Sequence, residues 1–360
     1  MADRLQDQPI KGRGAVTNRT GRFEALAHEA IDDGWPGDDP DEIPRIRTTL
    51  SIDASRTIIT RNTSPDVPFD RSINPYRGCE HGCIYCFARP THAYWGLSPG
   101  LDFETRLFYK PDAPALLDRE LRTRGYQPRT IVVGTNTDPY QPIERELRLT
   151  REILSVLSTF NHPTGLITKS ALVARDIDIL ASMAAKGIAQ VCVSITTLDR
   201  GLARRMEPRA ATPPRRLETI RNLSGAGIPV AVLTSPMIPG LNDHELECIL
   251  EAARDAGAIH AGYTLLRLPL EIKSLFEEWL RAHAPHRAGR VLNLIRESRE
   301  GRLYDPAWGK RMRGQGVHAD LLAARFARAT ARLGLNERRW ELAAGHFAPP
   351  PRAGDQLSLL

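Results

Sequence analysis

The sequence predicts an α/β fold, a partial (β/α)6 barrel of the TIM type with a helical extension at its C-terminal end, and three observations carry that expectation. Between about residues 69 and 270 of the 360, short β-branched runs alternate with longer stretches of helical periodicity, the pattern of parallel β/α units wound right-handed into a closed or nearly closed barrel. Beyond residue 270 the strand signal stops and only helical periodicity continues. The composition, 41% hydrophobic and 26% charged with nine Phe, eight Tyr and five Trp, is that of a folded chain long enough to bury a sizeable core.

Taken in order, residues 1–47 mix Gly, Pro, Asp and Arg, most densely from Trp35 to Pro40, and read as a largely flexible arm. Two β-prone runs, 48–52 and 57–60, flank Asp53-Ala54-Ser55 and suggest a hairpin closing a segment 1–60. The barrel occupies 61–270. Its strand candidates are 69–74, 130–135, 165–168, 190–196, 230–234 and 261–266; its helix candidates are 111–122, 149–160, 176–186, 214–226 and 243–256, most of them closed by Gly or a polar turn. An extension at 271–340 holds helix candidates 272–282, 287–299 and 318–333, interrupted by Trp308-Gly309-Lys310-Arg311-Met312-Arg313-Gly314. Residues 341–360 form a Pro-rich tail.

Charge and cysteine usage narrow the classes. Residues 281–340 hold 14 basic and 5 acidic side chains, a footprint suited to a polyanion such as DNA. Only six of the 49 basic residues are Lys, however, and Arg-rich helix faces are commonly just solvated. No apolar run approaches the roughly 18 residues of a membrane span, and the first thirty residues lack the apolar core of a signal peptide, so a cytoplasmic, reducing location is expected. Five Cys, three of them within eight positions, argue against a disulfide framework.

Those three lie in Cys79-Glu80-His81-Gly82-Cys83-Ile84-Tyr85-Cys86, directly after the first strand candidate, where a barrel of this type places active-site loops. Three thiolates can hold three irons of a [4Fe-4S] cluster and leave the fourth open, whereas structural zinc fills four positions. Zinc with His81 or a distant His as fourth ligand is the other reading of the same spacing.

The C-x-x-x-C-x-x-C pattern with Tyr85 before its last Cys resembles that of the radical S-adenosylmethionine (radical SAM) enzymes. Within that superfamily five stretches look like the branch grouped with spore photoproduct lyase and labelled DNA repair photolyases: Asn74-Pro75-Tyr76-Arg77-Gly78-Cys79, the segment from Gly134 to Pro142, Thr168-Lys169-Ser170, the segment from Ser194 to Asp199, and the segment from Ser235 to Asp243. The resemblance implies a reduced [4Fe-4S] cluster held by Cys79, Cys83 and Cys86, fed by a donor such as flavodoxin or ferredoxin. That cluster splits S-adenosylmethionine to methionine and a 5′-deoxyadenosyl radical that removes hydrogen from a substrate. Carried over position by position, Tyr85 sits by the adenine, the turn Thr135, Asn136, Thr137 and Asp138 by the methionine amino group, Lys169 by the carboxylate, and Ser194 by the carboxylate or ribose, with Thr196 on the same strand face. Period-two alternation supports this independently, since it turns Cys192, Ser194 and Thr196 to one face of their strand and Val191, Val193 and Ile195 to the other.

The chain departs from that branch in one respect. Spore photoproduct lyase has a Cys near the end of its second strand that returns hydrogen to the product, and here the stretch reads Gly134-Thr135-Asn136-Thr137. Cys192, lumen-facing by parity, is the candidate hydrogen donor in its place; Tyr140 and Tyr94 are candidate radical relays, and Cys248 reads as a packing residue. The C-terminal Gln356-Leu357-Ser358-Leu359-Leu360 is similar to the peptide by which bacterial repair proteins dock on the sliding clamp, with Leu360 in place of the usual Phe. A radical enzyme acting on DNA is thus the expected function. The alternatives are radical modification of RNA, a protein or a metabolite, and a non-enzymatic iron-sulfur or zinc protein that binds nucleic acid.

Overall fold

A computed structural model describes residues 9–24, 46–337 and 341–351. Ten strands run β1 Thr49–Ile52, β2 Thr60–Arg61, β3 Arg71–Ile73, β4 Tyr76–Arg77, β5 Arg106–Tyr109, β6 Ile131–Val133, β7 Thr164–Thr168, β8 Ala189–Ser194, β9 Val230–Met237 and β10 His260–Leu265. The α-helices are α1 Asp102–Thr105, α2 Ala113–Leu121, α3 Glu144–Leu147, α4 Leu149–Thr159, α5 Ile177–Ala185, α6 Arg200–Met206, α7 Pro213–Gly225, α8 Leu246–Asp255, α9 Ile272–His283, α10 Pro285–Glu297, α11 Lys310–Arg313 and α12 Val317–Arg332. β3, β6, β7, β8, β9 and β10 pair in parallel in that order, with β2 antiparallel on the outer side of β3. These are the six expected barrel strands, and the helices expected between them are present.

The periodicities explain why. In β8, Val191 and Val193 are buried, and with Ile195 they join a core built with Val230 and Val232 of β9. Between β9 and β10, α8 buries Leu246, Ile249, Leu250 and Ala253, one stripe at helical spacing, each Leu or Ile contributing roughly 1.5–3 kcal/mol by leaving water. A second core lies beneath the cysteine loop, where Phe276 and Trp279 of α9 and Val291 and Ile295 of α10 pack with Ile84 and Tyr85. The open edge at β10 is covered by Asn336, which hydrogen-bonds to both the amide and the carbonyl of Ala261.

Two expectations differ from the structure. The predicted hairpin is absent: Thr49–Ile52 pairs in parallel with Arg106–Tyr109, and Thr60–Arg61 pairs with Arg71–Ile73 in the main sheet. Both runs are β-prone as read, but the first pairs with a strand distant in sequence and the second with the strand that follows it across residues 62–70. β5 and β4 complete a separate three-stranded sheet in the order β1-β5-β4. The described part of the N-terminal arm, residues 9–24, is packed: Ala15 and Val16 are buried, and the Thr17 hydroxyl donates to Glu278 at 2.7 Å. Residues 341–351 dock at the N-terminal ends of the barrel strands, where Ala343 N–H donates to the Gly187 carbonyl, Ala348 N–H to that of Phe160, and the Phe347 ring packs on Phe160 and Tyr126. The clamp-like peptide from Gln356 to Leu360 lies outside the described residues. Among those described, no helix is long and apolar enough to cross a membrane.

The basic extension spends part of its charge on the barrel. Arg325 forms a two-armed pair with Glu247 at 2.8 and 2.6 Å, Arg332 pairs with Glu251, and Arg311 with Asp66.

Candidate functional site

A cavity of about 270 Å³ opens at the C-terminal ends of the barrel strands, lined on one wall by Cys79, Cys83, Cys86 and Tyr85 and on the other by the 134–138 turn, Lys169 and Ser194. The cysteine loop is pinned from several sides. Cys79 N–H donates to the Phe103 carbonyl at 2.9 Å and Ile84 N–H to that of Met206 at 3.0 Å. Arg89, fully buried, donates to the carbonyls of Cys83 and Gly82 at 2.9 and 3.0 Å and meets the buried carboxylate of Glu104 at 2.5 Å. The other role of Glu104 is to accept the amides of Gly14 and Ala15, at 2.9 and 2.8 Å. The N-terminal strand of chain therefore lies directly over the loop. A Cβ at Gly14 would stand 1.7 Å from the Gly82 carbonyl oxygen, so only glycine lets the two backbones pass this closely.

Buried thiols in this setting call for a cation. Burial pushes all three up, Cys83 to about 12, with Asp138 adding to the effect at Cys79 and Glu207 at Cys83. Metal coordination is what turns such thiols into thiolates. Three thiols lining one cavity can hold three irons, and the donor set fits an iron-sulfur cluster.

The facing wall is held as tightly. The Asn74 carboxamide oxygen accepts from the amides of Asn136 and Thr137 at 2.8 and 3.3 Å, while its NH2 reaches the Thr135 hydroxyl at 3.2 Å. Asp138 accepts from the Thr168 hydroxyl and the Lys169 amide, both at 2.7 Å, and lies 3.3 Å from His81 Nδ1. Burial opposes its charge, yet His81 and these hydrogen bonds hold its carboxyl below the usual range. Asp138 thus ties the cysteine loop to the end of β7. Lys169, the residue after β7, donates from Nζ to the Ser194 hydroxyl at 2.7 Å, with the ammonium 5.8 Å from the centre of the Tyr85 ring.

Of the residues singled out in the sequence, Cys79, Cys83, Cys86, Tyr85, Thr135, Asn136, Thr137, Asp138, Lys169 and Ser194 converge on the cavity. Thr196 stands just behind it, its hydroxyl donating to Glu207 at 2.6 Å and lying 3.2 Å from Tyr85 Oη. Cys192 is not among the lining residues. Tyr140 is buried in the core and donates its hydroxyl to Asp176 at 2.9 Å, away from the cavity lining. Tyr94 is exposed and stacks on Phe23. Cys248 is a correction: it is exposed, because it lies off the apolar stripe of α8.

Three features escaped the sequence reading. Glu207 sits fully buried with Arg216, which also donates to the Ser194 carbonyl at 2.9 Å, and the Tyr85 hydroxyl bonds to Glu207. Burial opposes the Glu207 charge, but Arg216, Lys169 and the Thr196 hydrogen bond override it and bring the carboxyl to about 2. The Arg89–Glu104 pair and Arg267, at the cavity mouth beside Phe87 and Met312, are the others. Glu207 follows α6, a helix the sequence reading did not mark, so nothing local drew attention to it.

Comparison with known proteins agrees with this geometry. An uncharacterized protein of Mycobacterium tuberculosis is 36% identical over 232 residues, 64% of this chain and 68% of that protein. An uncharacterized protein of Methanocaldococcus jannaschii is 29% identical over 178 residues, 48% of this chain and 62% of that one. Among solved structures, spore photoproduct lyase complexed with dinucleoside spore photoproduct is similar at a TM-score of 0.58 and 15% identity, over 79% of this chain and 80% of its own, a likeness of fold. A point mutant of the same lyase gives 0.59 at 16%, with the same coverage. The family model of the radical SAM superfamily matches residues 73–253, a span that holds the cysteine loop, Lys169 and Ser194, and the chain belongs to that superfamily.

Proposed function

We infer that this chain is a radical SAM enzyme in which Cys79, Cys83 and Cys86 hold a [4Fe-4S] cluster, and that its substrate is a nucleic acid, DNA before RNA. One observation carries the enzymatic part: three thiols, two of them on buried cysteines, share a 270 Å³ cavity with a lysine and a serine already hydrogen-bonded to each other. The chemistry the cluster supplies when bound is one-electron reduction of S-adenosylmethionine and, from it, hydrogen abstraction from a substrate carbon.

The chain's own residues then do the positioning. Lys169 offers a cation to the methionine carboxylate, and its hydrogen bond to Ser194 fixes where that cation points. Tyr85 offers a flat apolar face to the adenine, its hydroxyl anchored by Glu207 and Thr196. The 134–138 turn, shaped by Asn74, presents Thr135 and Asn136 to the amino group. Asp138 is engaged by Thr168, Lys169 and His81, so its part is to set the turn against the cysteine loop.

Two observations favour a nucleic acid: the excess of basic side chains in residues 281–340, and the likeness in fold to a lyase solved with a dinucleoside lesion. A radical attack from a barrel mouth requires the target nucleotide to be exposed from the stack.

The test is 5′-deoxyadenosine formation by anaerobically reconstituted, dithionite-reduced protein given S-adenosylmethionine, beside Cys83→Ala. Iron in the parent, product that rises on adding damaged DNA, and neither product nor a full iron complement in the variant are expected. Zinc in place of iron overturns the enzymatic reading; product that ignores DNA but rises with RNA, a protein or a metabolite moves the substrate.

A further inference from the structure

The cavity mouth holds a cation with no counter-ion. Arg267, two residues after β10, lines the cavity, and among the described residues it forms no ion pair. Its Nε is buried without a hydrogen-bond partner, its Nη1 reaches only the Met312 sulfur at 3.7 Å, and its guanidinium lies 4.8 Å from the centre of the Phe87 ring. Asp66, whose carboxylate feels the Arg267 charge, is already engaged by the Gly309 amide and by Arg311. A thioether and a ring face are weak substitutes for an anion. A charge partly withdrawn from water and left unpaired is retained where a ligand completes it.

We propose that Arg267 is the receptor for a phosphate of the substrate, and that Phe87 and Met312 are the walls between which the attached base lies. The assignment rests on the reading of this chain as a radical enzyme acting on nucleic acid, and it names the part of the substrate each residue takes. The fork of a guanidinium matches two phosphate oxygens at once. Phe87 is 40% exposed although it borders the cavity and has Arg267 over its ring, so a base can stack on the ring once the guanidinium turns to a phosphate. Phe87 also follows Cys86 directly, so a base held there stands against the cysteine wall, where hydrogen abstraction takes place. The anion of S-adenosylmethionine is already provided for, since Lys169 and Ser194 lie at the ends of β7 and β8 and Arg267 at the end of β10.

The experiment is equilibrium binding of a fluorescein-labelled oligothymidylate to the reconstituted holoprotein over a salt series, with S-adenosylmethionine affinity and thermal melting measured on the same samples. Arg267→Gln is expected to weaken oligonucleotide binding about 10-fold, the loss of one charge-assisted pair, and to flatten the salt slope by about 0.7. Arg267→Lys should fall between, keeping the charge without the fork, and Phe87→Ala should weaken binding without altering the salt slope. Melting and S-adenosylmethionine affinity should stay at the parent value. Arg328→Gln, an exposed arginine on α12, is the control for diffuse charge and should change little.

Equal affinities of the parent and Arg267→Gln overturn the assignment while leaving nucleic acid as the substrate. A parent that binds no oligonucleotide at low salt removes the nucleic-acid reading and the assignment together. A loss shared equally by Arg328→Gln reduces the effect to net charge, a loss confined to S-adenosylmethionine gives the guanidinium to the cofactor, and a collapse of the melting temperature makes its role structural.

Discussion

Around the cysteine loop two buried arginines have counter-charges, Arg89 in Glu104 and Arg216 in Glu207, and the Asp138 carboxylate lies against the His81 ring. At the mouth of the same cavity, Arg267 meets a phenyl ring and a thioether. The difference separates two jobs. On the proposed function the paired charges hold the cysteine loop in place, although His81 Nδ1, beside Asp138, has no hydrogen-bond partner of its own. The wall proposed to recognise the substrate leaves a charge for that substrate to complete, and tolerates the cost in its absence.

The comparison breaks most visibly at Arg89 and Glu104. Glu104→Gln leaves the Arg89 guanidinium without a counter-charge at a site closed to solvent, and breaking a buried pair in this way costs about 3–5 kcal/mol. Urea unfolding should show that loss, and the iron content of the reconstituted variant should fall with it, because Arg89 holds the carbonyls of Gly82 and Cys83. A variant as stable as the parent would show that the loop does not depend on the pair.

Glu207 sharpens the same contrast through pH. Its carboxyl stands at about 2 in the folded chain against an ordinary value of 4.5, so the folded state favours the charged form. That preference is worth about 3 kcal/mol, fully present above pH 4.5 and lost as the pH falls through the folded value. Glu207→Gln should therefore be less stable than the parent at neutral pH by about that amount. The gap should close between about pH 4.5 and 2, which chemical denaturation at a series of pH values would follow. A gap that ignores pH would assign the loss to packing. Arg267→Gln belongs at the other end of the scale, since removing a charge with no partner takes away no pair.

What the sequence made legible follows the same division. The β/α alternation and the polar face of β8 are short-range patterns, and period-two parity alone separates Ser194 from Val193, whereas the bond between Lys169 and Ser194 is seen only in the fold. The paired charges are not short-range. Glu104 accepts amides 90 and 89 residues away, and Arg216 finds Glu207 only because α6 and the start of α7 lie under the end of β8. The hairpin expected after residue 47 failed for the same reason: Thr49–Ile52 pairs with a strand that ends at Tyr109, a partner no local rule identifies. Tyr140 is a further case, because a tyrosine in a loop beside the site motif reads as available, and only the fold shows it buried with its hydroxyl on Asp176.

Cys192 is where the smallest effect is expected. It pairs in register with Ile167 on β7 and Ala231 on β9, on the strand face shared with Ser194, yet it does not line the cavity. Burial alone pushes its thiol to about 12, so it stays a neutral S–H with no charge partner to lose. Cys192→Ala should cost on the order of 1 kcal/mol in stability and leave 5′-deoxyadenosine formation at the parent rate. If the thiol instead returns hydrogen to the product, cofactor cleavage would still proceed in the variant. The products would then change, because a substrate radical without a donor takes hydrogen from another source. Measuring both the amount of 5′-deoxyadenosine and the substrate products in one assay separates the two, and a change in the products alone would put Cys192 on the substrate side of the division.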